Sequence, residues 1–96
     1  MIPLRFTRQA EADILSIHDY TIETFGIAQW SVYESGLRSA FERISQNPQS
    51  GTDLSSIKPD TRRLMFKSHA IYYRTRADDV LVLRVLGLRQ DPGRHL

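Results

Sequence analysis

The 96-residue sequence predicts an α+β fold: an N-terminal strand, then an antiparallel two-helix hairpin packed on one face of a four-stranded twisted antiparallel sheet. Three observations predict it. Apolar residues repeat at helical spacing through residues 7–46, alternate with polar ones through residues 62–86, and turn-forming residues separate the runs. The length suits one domain over residues 1–96, large enough to bury roughly two-thirds of its unfolded surface in a single core.

Residues 3–6 read as a short extended segment. Thr7 is a good helix N-cap, and Glu11 and Asp13 follow in the early turns, where the helix dipole favours negative charge. Ala10, Ile14, Ile17 and Phe25, widened by Leu15 and Ile22, make an amphipathic stripe that ends at Gly26, a left-handed C-cap position. Trp30, Tyr33, Leu37, Ala40, Phe41 and Ile44 mark a second helix of about five turns. It stops near Asn47, because Pro48 disfavours helical geometry in the residue before it. Gly36 within this helix costs about 1 kcal/mol relative to alanine, and a close crossing of the first helix would explain it.

Residues 48–61 are loop by composition. Strands are expected over residues 62–68, 70–76 and 80–86, with Asp78 and Asp79 in a tight turn. Alternation puts Leu64, Phe66, Ile71, Tyr73, Leu81, Leu83 and Val85 on the helix face. It puts Arg63, Lys67, Tyr72, Arg74 and Arg84 on the other. Counting directions through the two helices, the N-terminal strand pairs antiparallel with residues 62–68.

The net charge of +2 is unevenly placed. Residues 1–48 hold four arginines against six carboxylates, and residues 49–96 hold nine Lys and Arg against five Asp. A basic half of this kind suits an acidic partner, protein or nucleic acid. The absence of cysteine excludes disulfides and thiolate metal sites. Three scattered histidines supply no metal-ligand set, no phosphate-binding glycine loop is present, and no cofactor is implied. No apolar run is long enough to span a membrane, and residues 1–7 lack a signal-peptide layout, so a cytoplasmic location is expected.

An arginine-rich sheet with Tyr and His can grip phosphate, stack on bases or receive an acidic peptide, and it can equally be a solvated surface. RNA cleavage needs a general base, a general acid and a cation at the phosphorane. His69, His95, Glu42 and Asp91 are the acid–base candidates; His69, at a strand junction, also suits a hydrogen-bonded turn residue, and no telling pair emerges.

Several motifs in order carry a family resemblance: Asp13-x-x-x-Ile17-x-x-Tyr20, Phe25-Gly26, the run from Ala40 to Ile44, and Asn47-Pro48-x-Ser50-Gly51. Arg62-Arg63, the run from His69 to Arg74, Leu83-Arg84 and the tail Arg89-Gln90-Asp91-Pro-Gly-Arg94-His95-Leu96 complete the set. Nearly the whole chain resembles the ParE toxins of the ParE/RelE superfamily. The resemblance implies a bacterial type II toxin neutralised by a cognate antitoxin, ParD-like or another DNA-binding protein, in a hetero-oligomeric complex. It also implies inhibition of DNA gyrase by binding, with no catalytic residue. Arg63, Arg84, Arg89, Gln90, Asp91, Arg94 and His95 are then the target-binding candidates. RelE-like relatives instead cut mRNA on the ribosome, but Gly87 and Leu88 fill the usual acid–base slot after the last strand, and neither moves a proton. A non-toxic antitoxin-binding module is the third reading.

Overall fold

The computed structural model describes all 96 residues. Strand β1 (Leu4–Phe6) leads into helices α1 (Arg8–Phe25) and α2 (Ile27–Gln46). A single 3-10 turn (Pro48–Ser50) follows, then strands β2 (Thr52–Asp53), β3 (Thr61–Phe66), β4 (His69–Thr75) and β5 (Val80–Gly87), and a short helix α3 (Pro92–His95). The hairpin and the three long strands stand where the periodicity puts them.

The caps follow local chemistry. The Thr7 hydroxyl accepts from the Ala10 N–H at 3.0 Å and donates to the Leu83 carbonyl at 2.7 Å, which caps α1 and ties its start to β5. Gly26, at φ 91°, ends α1 and starts α2 with no intervening residue, a backbone that a side chain would strain. Asn47 caps α2, and its side chain accepts from the Gln49 N–H at the start of the 3-10 turn.

The sheet has five strands in the order β1-β5-β4-β3-β2, not four, and it is mixed. β1 pairs parallel with β5, Leu4 opposite Val80, rather than antiparallel with β3. The reason lies in the loop over residues 48–61. It contains β2, which runs antiparallel to β3 with Thr52 opposite Arg63. That extra reversal changes the direction of every later strand relative to β1.

The main core lies between the sheet and the hairpin. Ala10, Ile17, Trp30, Tyr33, Leu37 and Ile44 meet Leu64, Ile71, Tyr73, Val80, Val82 and Val85. In β5 the inward set begins with Val80 and Val82, not Leu81 and Leu83. A register shift explains this: Tyr73 faces Val82 but Tyr72 faces Arg84, so Leu83 is a bulge and the two-residue period slips by one. Gly36 is explained by the sheet, not by α1: a Cβ there would lie 2.8 Å from the Phe66 ring. Leu15 and Phe25, expected in the buried stripe, are 60% and 64% exposed.

Candidate target-binding surface

The face of the sheet away from the hairpin carries a cross-strand row. Arg63 on β3 pairs with Tyr72 on β4, which pairs with Arg84 on β5. Directly opposed residues share a face, so two guanidinium stems flank one phenol. This face is not open throughout. Tyr72 is buried, and with Ala70 and Leu86 it forms a second small cluster, covered by Leu54 from the β2–β3 loop and Leu96 from the tail.

Arg84 is held rather than free. Its Nε and Nη2 donate to the two carboxylate oxygens of Asp13 at 2.8 and 2.9 Å, and both side chains are largely shielded from solvent. The Val85 N–H donates to the same carboxylate at 3.0 Å. Asp13 therefore does on the β5 edge what β1, ended at Phe6, no longer does: it satisfies a ladder donor. These bonds raise the guanidinium pKa, and Arg84 stays cationic. Its third nitrogen reaches the His95 carbonyl at 3.5 Å. Arg63 is half-buried, and its Nε is buried without a partner. Its neighbour Arg62 instead fastens the preceding loop through the Gly51 carbonyl and the Gln49 side chain, both at 2.9 Å.

The tail folds back on this surface. The Leu88 N–H donates to the Ser68 carbonyl, and a turn closes between Gly87 and Gln90, whose side-chain oxygen accepts from the Gly87 N–H at 2.8 Å. Asp91 caps α3 through the Gly93 N–H at 2.9 Å. Lys58 Nζ donates to the Leu96 main-chain oxygen at 3.2 Å. Thus Gln90 and Asp91 shape the turn, and His95 reaches Arg84 through its backbone. Arg89 and Arg94 are exposed and form no ion pair. Of the predicted residues, the fold sets Arg63 and Arg84 on either side of Tyr72, brings the His95 carbonyl to Arg84, and leaves Arg89, Gln90, Asp91 and Arg94 along the tail.

Tyr72 lies on the expected outward face, but under the tail. Lys67, also expected there, instead occupies the β3–β4 turn, with its Nζ 5.9 Å from the Phe66 ring centroid. Asp13 and Lys58, which anchor Arg84 and the tail, carry no sequence signal of that role: Asp13 reads as helix-dipole chemistry and Lys58 as a loop cation.

Comparison with known proteins places the arrangement. The sequence matches the family described as ParE toxin of type II toxin-antitoxin system, parDE, over residues 4–92. It is 34% identical over 88 residues to Toxin ParE1 of Mycobacterium tuberculosis, covering 91% of this chain and 90% of the relative. It is 30% identical over 96 residues to Toxin ParE1 of Caulobacter vibrioides, covering 100% and 99%. The fold superposes with a TM-score of 0.78 on a chain of the chromosomal ParDE TA system from P. aeruginosa, at 21% identity, covering 93% of this chain and 98% of that one. The chain belongs to the ParE toxins of type II toxin–antitoxin systems.

Proposed function

We propose that this toxin acts by binding DNA gyrase, and so blocks replication, with no catalytic step of its own. The observation that carries the reading is the tail. It is docked on the sheet by Leu96 and Lys58, and it holds Arg89 and Arg94 out to solvent without counter-charges. Arginines without counter-charges, held out to solvent, suit an acidic protein surface, because the guanidinium fork pairs bidentately with carboxylates. At the end of β5, where RelE-like relatives carry an acid–base group, Gly87 and Leu88 offer none.

The cognate antitoxin is the second partner. The hairpin exposes Leu15, Tyr20, Phe25, Ile27 and Val32, and Phe6, Ile14, Leu15 and Trp30 line a shallow apolar groove. Covering this surface with an amphipathic segment keeps the toxin inactive in the cytoplasm.

A supercoiling assay tests the reading. The purified chain inhibits gyrase at about micromolar concentration, and the double change Arg89→Ala, Arg94→Ala weakens inhibition about tenfold or more without altering the fold. No inhibition by the unaltered protein sinks the gyrase reading. Site-specific mRNA cuts in a translation extract, lost in Arg84→Ala, would instead favour the ribonuclease reading, which draws on the Arg63–Tyr72–Arg84 row.

A further inference from the structure

On the helix side of the sheet, away from that row, a cavity of about 480 Å³ opens between α1, the start of α2 and the β3–β4 turn. Its size falls within the range of small-molecule sites. Tyr20 and Phe25 form one wall, edge to face with centroids 6.4 Å apart, and both are exposed. No carboxylate lines the cavity, and Lys67 is its one formal charge.

The polar end is built from the turn. Lys67 and Ser68 are the two residues between β3 and β4, and Lys67 has φ 52°. Glycine takes that conformation without strain and lysine does not, so the turn itself gives no reason for a lysine. What lysine adds is an ammonium free of any ion pair, 5.9 Å from the Phe66 ring centroid, on a residue that lines the cavity. Beside it, His69 Nδ1 lies 3.0 Å from the Tyr33 hydroxyl. Burial pushes the Tyr33 pKa up to about 12 and the His69 pKa down, so the phenol is protonated and the imidazole neutral. We assign the phenol as donor to Nδ1, which also lies 3.4 Å from Ser68 Oγ. The ring proton is then on Nε2, which has no protein partner and is not sealed from solvent.

We propose that this cavity binds a small aromatic carboxylate, its ring against Tyr20 and Phe25 and its carboxylate between the Lys67 ammonium and the His69 Nε2–H. One cation and one neutral donor match a monoanion, and the aromatic wall supplies the apolar contact.

Indole-3-acetate is the probe, titrated into the ¹⁵N-labelled full chain and followed by amide shifts. The expected result is saturable shifts confined to Thr21, Phe25, Lys67, Ser68 and His69. Uncharged indole-3-acetamide and ringless acetate should each bind about tenfold more weakly or worse. Lys67→Gly should lose affinity about tenfold while melting at the same or a higher temperature, since glycine relaxes the turn. Lys67→Ala should lose it equally, which guards against a glycine-specific effect. The proposal is overturned if no shifts occur, if they centre on the groove at Trp30, if the amide binds as well as the acid, or if either Lys67 variant binds undiminished.

Discussion

At the scale of single residues, Asp13 carries more of the structure than its place in an amphipathic helix suggests. It accepts three hydrogen bonds, two from Arg84 and one from the Val85 N–H. Removing the carboxylate leaves a shielded guanidinium and a strand-edge donor unpaired, which costs far more than the pair contributes net. We expect Asp13→Ala to destabilise the fold by about 2–3 kcal/mol, below the cost for a fully buried pair because some solvent reaches both groups. Asp13→Asn, which can still accept from Val85, should lose about half as much. Urea denaturation of the two variants measures this, and equal midpoints for wild type and Asp13→Ala would refute it. His69 gives a pH prediction. Burial lowers its folded pKa below the unfolded value near 6.5, so the unfolded chain takes up the proton first. The His69 contribution is complete above about pH 6.5 and is lost as pH falls through the folded pKa, with a slope of at most about 1.4 kcal/mol per pH unit. Melting curves between pH 7.5 and 5 should show a decline that is shallower in His69→Gln; parallel declines would contradict the assignment.

At the scale of elements, what could be read from the sequence follows from which interactions set each feature. α1 and α2 were legible because Thr7, Gly26 and Pro48 mark their ends and their apolar faces recur at helical spacing. β3 and β4 were legible on both faces: Leu64, Ile71 and Tyr73 turn to the helices, and Ala70 and Tyr72 away. β5 was legible as a strand, and Arg84 and Val85 face as expected, but the facing of residues 80–83 was not legible. All its residues but Arg84 and Gly87 are aliphatic, so no alternation exposes the bulge at Leu83. β2 was invisible because two exposed polar residues carry no period, and it is fixed only by its ladder to Arg62 and Arg63. Missing it reversed the inferred direction of β1. Gly36 shows the same limit: helix propensity flags the cost, but only the assembled sheet identifies the Phe66 ring as its cause. For the candidate surface, the arginine positions were readable from strand alternation. The bond from Asp13 to Arg84 spans 71 residues and leaves no local trace.

At the scale of the whole molecule, the two faces of the sheet are unequally covered. Twelve buried residues form the helix-side core, and three form the cluster under the tail. The thin side is the one that carries the Arg63–Tyr72–Arg84 row and the tail arginines. Regions with few buried contacts open at low free energy, so the tail should detach without unfolding the hairpin core. Leu96 is its apolar anchor, against the cluster of Ala70, Tyr72 and Leu86, and the part-buried Lys58 bond to its main-chain oxygen adds a second contact. Truncating this half-buried side chain should cost about 1 kcal/mol, less than a leucine in a sealed core. The larger consequence is local. In Leu96→Ala, amide hydrogen exchange should speed up at Gln90, Arg94 and Leu96, whose N–H groups bond within the tail, by about fivefold or more. Exchange at Ile44, Ile71 and Tyr73 should change only by the small global loss. Uniform acceleration across both sets would mean that the tail and the main core open together, and that the candidate surface is no looser than the fold that supports it.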